Sequence, residues 1–167
     1  MTGKVLVIMG SDSDWKIMEQ TVTTLKAYQV EADVHVASAH RTPGKAMELS
    51  ANARTRGYAA IIAGAGAAAH LAGVLAAHTT LPVIGVPLSG TALQGVDALY
   101  ATVQMPPGVP VATVAIDGAK NAALLAVQIL AVCDKELAGR LEKEKEAMAA
   151  QVEEKNQRIR KSARLED

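Results

Sequence analysis

A histidine and an arginine stand side by side at positions 40 and 41, directly after a short apolar segment. An imidazole can accept and donate a proton near neutral pH, and a guanidinium can bind an anionic group through two parallel hydrogen bonds. Residues 34–37 are typical of a β-strand, and Pro43 favours the first turn of a helix. We therefore predict that His40 is a general acid or base and that Arg41 binds an anionic group of a small substrate.

Two further segments combine small or polar residues at the predicted start of a helix. Residues 10–14 read Gly-Ser-Asp-Ser-Asp, which suits a phosphate or sugar hydroxyls, although a capped turn uses the same residue types. Residues 64–70 read Gly-Ala-Gly-Ala-Ala-Ala-His, where backbone N–H groups can approach a ligand and His70 either lines the site or caps and packs. Besides Arg41, the candidate substrate-binding residues are Ser11, Ser13, Asp14, Ser38 and Gly66.

Strand-like and helix-like segments alternate along the chain. The predicted strands are residues 4–9, 31–37, 58–63, 82–86 and 111–116. The predicted helices start at a Ser13 cap, at a Thr42 cap, and at residues 67, 96 and 120, and they end near residues 30, 56, 78, 104 and 133. This alternation predicts a single-domain, three-layer α/β/α fold with a parallel, flavodoxin-like five-stranded sheet. Such sheets bind ligands beyond the carboxyl ends of their strands, which nominates residues 10–14, 38–43, 64–70 and 88–95.

The end of the chain differs in composition from the rest. Residues 135–167 contain nine basic and eight acidic side chains in alternating order, as expected for a solvated helix with i,i+4 ion pairs. We therefore divide the chain into a catalytic domain, residues 1–134, and a charged helical tail, residues 135–167. The preceding segment, residues 122–133, is apolar except at Gln128, which predicts that other copies of the chain cover it.

Composition argues against several classes of function. The 17 basic and 17 acidic side chains leave no net charge to attract nucleic acid or an anionic membrane. Cys133 is the single cysteine, which excludes an internal disulfide, and no histidine or carboxylate pair has metal-ligand spacing. There is no Walker loop, Rossmann fingerprint or nucleophilic serine elbow, and we interpret His35 and His78 as structural. Without a signal peptide or membrane-length apolar run, we expect a cytoplasmic enzyme that uses neither a metal nor a cofactor.

Four motifs in this order resemble a known family. They are Gly-Ser-Asp-Ser-Asp-Trp at residues 10–15, Ser-Ala-His-Arg-Thr-Pro at residues 38–43, Gly-Ala-Gly with His-Leu at residues 64–71, and Val-Gln-Met-Pro with the segment up to Ile116 at residues 103–116. Together they closely resemble the bacterial N5-carboxyaminoimidazole ribonucleotide mutases of purine biosynthesis. The resemblance extends over about residues 4–133.

The resemblance implies conversion of N5-carboxyaminoimidazole ribonucleotide to 4-carboxy-5-aminoimidazole ribonucleotide by a homo-octamer with sites shared between subunits. Carried over by motif, His40 matches the family's catalytic histidine and His70 a second histidine of the site. The substrate-binding positions of the family match Ser11, Asp14 and Arg41.

Two residues depart from the family pattern, since Ala67 stands where a glycine is common and Ala72 where a proline is common. If position 67 requires a positive φ, the alanine changes the geometry of the loop. Two other functions stay open. A related aminoimidazole ribonucleotide carboxylase would use free carbon dioxide, but there we expect a lysine after the site histidine. A flavodoxin-like binding or signalling module is possible on fold alone.

Overall fold

Five parallel strands form the centre of the protein, and the computed structural model describes residues 3–163. The strands are β1 (Lys4–Met9), β2 (Ala32–Val36), β3 (Tyr58–Gly66), β4 (Val83–Leu88) and β5 (Ala112–Thr113). They lie in the order β2-β1-β3-β4-β5, and all four neighbouring pairs are parallel. This is the predicted flavodoxin-like order. Its topological switch point lies between β1 and β3, because β2 is added on one side of β1 and β3 to β5 are added on the other.

Helices cover both faces of this sheet. After a short 3-10 helix (Asp12–Asp14), the helices are α1 (Trp15–Ala27), α2 (Pro43–Ala51), α3 (Leu71–Ala76), α4 (Val96–Val103), α5 (Ala119–Ala131) and α6 (Lys135–Ser162). Successive side chains of a strand point to opposite faces, so β1 places Val5 and Val7 in one core and Leu6 and Ile8 in the other. Both cores are closed, which explains why β1 is apolar at five consecutive positions instead of alternating.

The third and fourth strands run further than the sequence predicts. The prediction that residues 64–66 form a turn is wrong, because Ala65 and Gly66 continue β3 and pair with Pro87 and Leu88 of β4. Pro87 is tolerated within β4 because the pairing with β5 involves only Ile84 and Gly85. The helix predicted to start at residue 67 starts instead at Leu71.

Helix α5 is covered largely by its own chain. Ala122, Ala123, Ala126 and Val127 are buried in the core shared with α1 and α6, whereas Val132 is 83% exposed. Most of the apolar surface that the sequence assigned to other copies is therefore already buried within one protomer.

Residues 135–162 form a long helix whose first turns are tied to the rest of the described structure. The carboxylate of Asp134 accepts hydrogen bonds from the backbone of the first turn, and the guanidinium of Arg140 donates to the backbone oxygen of Tyr28 at 2.7 Å. Leu137 is buried, but every residue from 142 to 163 is exposed. Within the described residues, no helix has both the length and the apolar character that crossing a bilayer requires.

Candidate active site

A cavity of about 480 Å³ lies beyond the carboxyl ends of the central strands, where the fold predicts a ligand site. All four loops nominated from the sequence contribute to it. The polar lining residues are Ser11, Ser13, Asp14, Ser38, His40, Arg41 and Thr91. Backbone at Gly10, Gly66 and Gly90 and apolar side chains of Ile17, Leu71 and Leu88 complete the wall. The structure thus brings every predicted substrate-binding residue to one cavity.

The first loop, residues 10–14, is held by hydrogen bonds between its own side chains and backbone. Ser11, and not Ser13 as predicted, caps the following helical turn: its Oγ accepts from the Ser13 backbone N–H, and the Asp14 carboxylate accepts from the Ser11 N–H at 2.9 Å. Partial burial raises the pKa of Asp14 above its ordinary value, although the backbone hydrogen bonds and the nearby Arg41 charge oppose this rise. The loop therefore presents hydroxyls and a carboxylate in a fixed arrangement.

In the second loop, residues 38–43, the side chains of Ser38 and Thr42 hydrogen-bond to the backbone. The Ser38 Oγ accepts from the backbone N–H groups of His40 and Arg41, and the Thr42 Oγ1 accepts from the Ser38 N–H at 2.8 Å. Thr42 occupies the predicted cap position of α2, but its side chain is used within the loop and does not cap the helix. These bonds fix the backbone from which the two adjacent functional side chains project.

The imidazoles of His40 and His70 form a pair. His40 Nε2 lies 2.9 Å from His70 Nδ1, and the two rings meet edge to face at 83°. A hydrogen bond between two ring nitrogens needs a proton on one of them and a lone pair on the other. The contact therefore links the proton position on one ring to the tautomer of the other, as expected for a group that moves a proton and a group that orients it.

The third loop places His70 just outside helix α3, and not inside it as predicted. Ala67 has φ +52°, so this alanine adopts the left-handed conformation that the sequence raised as a question. Two tight turns follow, in which the N–H of Ala69 donates to the Ala67 oxygen and the N–H of His70 to the Ala68 oxygen, both at 2.8 Å. The strained residue and the two turns direct His70 back toward His40.

Arg41 connects the first and second loops. Its Nη2 donates to the Gly10 backbone oxygen at 3.3 Å, and its guanidinium lines the cavity beside Ser11 and Asp14. An arginine has five N–H donors in a planar fork, so one long contact to a backbone oxygen leaves donors for an anionic group in the cavity. The position fits the predicted anion-binding role.

Thr91 lines the cavity but is not among the binding residues predicted from the sequence. Its loop, residues 88–95, is one of the four that follow the carboxyl ends of strands and that we nominate on this ground. Nothing in the sequence around it marks a ligand contact, because threonine and glycine are common in any loop. The same holds for the apolar wall residues, whose pattern also fits helices and strands packed in a core.

The remaining histidines lie away from this cavity. His35 lies 3.3 Å from Asp33 on the edge strand, and the His78 Nδ1 lies 2.7 Å from the Val74 oxygen at the end of α3. Among residues 3–163, no three histidine, cysteine, aspartate or glutamate side chains come together in a group able to hold a metal ion.

Comparison with known proteins gives consistent matches. A family model described as AIR carboxylase matches residues 4–151. A Pyrococcus abyssi protein named N5-carboxyaminoimidazole ribonucleotide mutase is 54% identical over 145 residues, which cover 87% of this chain and 83% of that protein. The Escherichia coli K12 protein of the same name is 51% identical over 151 residues, 89% of each chain. A crystal structure of Treponema denticola PurE has a TM-score of 0.84 at 28% identity and covers 92% of this chain and 96% of that one. The chain therefore belongs to the AIR carboxylase family.

Proposed function

We propose that this protein converts N5-carboxyaminoimidazole ribonucleotide to 4-carboxy-5-aminoimidazole ribonucleotide in purine biosynthesis, and so acts as an isomerase. One observation supports this most strongly. His40, which pairs with His70, lines a cavity that also contains an arginine, a partly buried carboxylate and several hydroxyls, the groups that a phosphorylated ribonucleotide needs. Relatives named N5-carboxyaminoimidazole ribonucleotide mutase are about half identical to this chain over most of its length.

The chemistry moves one carboxylate and returns one proton. Cleavage of the bond between the exocyclic nitrogen and the carboxylate releases carbon dioxide, and the electron pair of that bond stays on the nitrogen. His40 donates a proton to this nitrogen, which gives the bound amine. Ring carbon 4 then attacks the carbon dioxide, and His40 takes up the proton that carbon 4 loses. The imidazole ends in its starting state, so the reaction needs no metal or cofactor.

Carbon dioxide must be retained between these two steps. The small residues of the third loop, including Ala65, Gly66 and Ala68, line the cavity without filling it. Such small side chains leave room for the intermediate next to carbon 4, where the bound nucleotide restrains it. We assign substrate binding to Arg41 and to the loop residues Ser11, Ser13, Asp14, Ser38 and Gly66. His70 holds His40 in a productive orientation or shares its proton.

The decisive variant is His40→Asn, measured with N5-carboxyaminoimidazole ribonucleotide as substrate. We expect the fold to be retained and the turnover to fall by at least about 100-fold, because a general acid–base group contributes roughly 10²–10⁴ to rate. The matched control is His78→Asn, which changes a histidine outside the cavity and leaves turnover unchanged. Full activity of the His40 variant would show that another group transfers the proton.

A second candidate is a carboxylase that adds free carbon dioxide to aminoimidazole ribonucleotide, since the matching family model is described as AIR carboxylase. Arg41 favours the mutase, because we expect a lysine at this position in the carboxylase branch. Purified protein assayed with each substrate distinguishes the two. Turnover of aminoimidazole ribonucleotide with bicarbonate, and none of the carboxylated substrate, would reverse the assignment.

We further infer that the active form is a homo-oligomer, with an octamer as the specific expectation. Helix α4 and the loop before it expose a row of apolar side chains that its own chain does not cover, namely Leu93, Val96, Tyr100 and Val103. A second apolar stripe, Met148, Val152 and Ile159, lies on the projecting part of α6. Sedimentation equilibrium on the purified protein tests this, and a monomer at micromolar concentration would contradict it.

Residues 1–134 act as the catalytic domain and residues 135–167 as a helical tail in this proposal. The small-molecule nucleotide is the substrate partner, and neither nucleic acid nor a membrane takes part. A phosphorylated substrate does not cross membranes because of its charge, which supports a cytoplasmic location.

A further inference from the structure

The loop of residues 89–95 forms one wall of the cavity, and the sequence nominated it without naming a binding residue in it. Its first part supplies Gly90 and Thr91 to the lining. Within the loop, the Thr91 N–H donates to the Ser89 oxygen and the Gln94 N–H donates to the Thr91 oxygen, and the Thr91 hydroxyl lies 3.3 Å from both oxygens of the Asp97 carboxylate. Thr91 is thus anchored to α4 through Asp97, and the start of the loop is anchored separately, at its base.

Asp117, in the connection between β5 and α5, forms that base. Its carboxylate accepts from the Ser89 N–H at 2.9 Å and from the Ser89 hydroxyl at 2.6 Å, so both oxygens bind one residue. The Asp117 N–H donates to the Pro87 oxygen at 2.9 Å, which ties the connection to the end of β4. Hydrogen bonds to an ionised carboxylate are about twice as strong as neutral ones.

The backbone at Asp117 and at the end of the loop is adapted to this contact. Asp117 has φ +57°, a conformation that aspartate tolerates better than most residues but that still costs free energy. At the other end Gly95 has φ +85°, and a side chain there would meet the Ser89 Cα at 3.1 Å and Ile116 at 2.7 Å. The two ends of the loop and the β5–α5 connection are thus packed together.

We propose that Asp117 is a positioning residue for substrate binding: it holds Ser89, and through it the cavity wall of Gly90 and Thr91. It does not touch the reacting atoms. This inference rests on the proposed function only in the identity of the nucleotide, because the cavity wall is a feature of the structure. The wall contacts the bound nucleotide, so loosening it weakens binding and leaves proton transfer by His40 largely intact.

The test compares three variants by kcat and KM with N5-carboxyaminoimidazole ribonucleotide, and by the Kd for the product nucleotide in calorimetry. Asp117→Gly keeps the backbone conformation and removes the carboxylate. We expect KM and Kd to rise about tenfold, as for a lost charge-assisted hydrogen bond, with kcat changed less than about threefold. Asp117→Asn keeps an acceptor and tolerates the positive φ, and it restores most of the affinity. Ser89→Ala removes one of the two donors, and KM rises a few-fold.

The matched control is Asp134→Gly, which removes another carboxylate that accepts two backbone N–H groups, but at the start of α6. It lowers the melting temperature and leaves KM unchanged. The proposal is overturned if Asp117→Gly leaves KM and Kd unchanged, or if Asp134→Gly raises KM equally. If Asp117→Gly does not fold, Ser89→Ala decides, and a wild-type KM in that variant rejects the proposal. An inactive wild-type protein would reject the proposed function, whereas unchanged affinity in an active variant rejects only this inference.

Discussion

His70, the second histidine of the pair, can either orient His40 or transfer a proton, and substitutions at position 70 distinguish these roles. If His70 only orients His40, any side chain that can form a hydrogen bond at the position of its Nδ1 preserves the function. If His70 carries the proton onward, only an imidazole does. An asparagine side chain places a polar atom near the position of Nδ1, so we compare His70→Asn with His70→Ala.

The distance of 2.9 Å between the two rings sets the expected magnitudes. A neutral hydrogen bond contributes about 0.5–1.5 kcal/mol, equivalent to about two- to twelvefold in rate. A general acid–base group contributes roughly 10²–10⁴. We expect the orienting role: His70→Ala lowers kcat by about tenfold, and His70→Asn lowers it by less than about threefold.

Steady-state turnover over a range of pH is the measurement, with circular dichroism to confirm that each variant is folded. Both rings are exposed, so neither substitution leaves a buried gap that would confuse loss of activity with loss of structure. If both variants lose at least 100-fold in kcat, His70 transfers a proton and the orienting role is refuted. If both keep full activity, the contact between the rings has no part in the reaction.

Three further predictions concern binding, packing and pH. Arg41→Ala weakens binding of the product nucleotide about 10- to 100-fold in calorimetry, as expected for a charged contact, whereas the control Arg54→Ala leaves it unchanged. Gly85→Ala lowers the free energy of unfolding by about 1–3 kcal/mol in urea titrations, because the added Cβ would overlap the γ-methyl group of Thr102; an unchanged midpoint would contradict this packing. Burial raises the pKa of Tyr58 from 10.0 to about 12, so the folded state keeps a proton that the unfolded state loses. Stability is therefore lost as pH rises from 10 to about 12, and Tyr58→Phe removes this part of the loss; equal slopes in both proteins would refute it.

Local sequence was sufficient for the fold class and for nominating most of the polar residues that line the candidate site. The run of five apolar residues from Val5 predicted a strand buried on both faces, and its burial follows directly from that pattern. The polar residues that follow the first two strands were predicted to share one edge of a parallel sheet. They do, because parallel strands all end at the same side.

Boundaries were harder to predict because they depend on partners elsewhere in the chain. Gly64, Ala65 and Gly66 were assigned to a turn, since two glycines in three residues usually mark one. The neighbouring strand offers backbone partners up to Leu88, and this pairing keeps the segment extended. Local propensity was overruled by hydrogen bonds that no short window of sequence contains.

The amino-acid sequence by itself determined which chemical groups this protein has and the order of its strands and helices, because residue types and hydrophobic periodicity are local properties. Only the tertiary structure decided that His40 meets His70 thirty residues later and that Asp117 holds Ser89, twenty-eight residues before it. These contacts depend on distances between segments far apart in the chain, which are set when the two cores pack against the sheet.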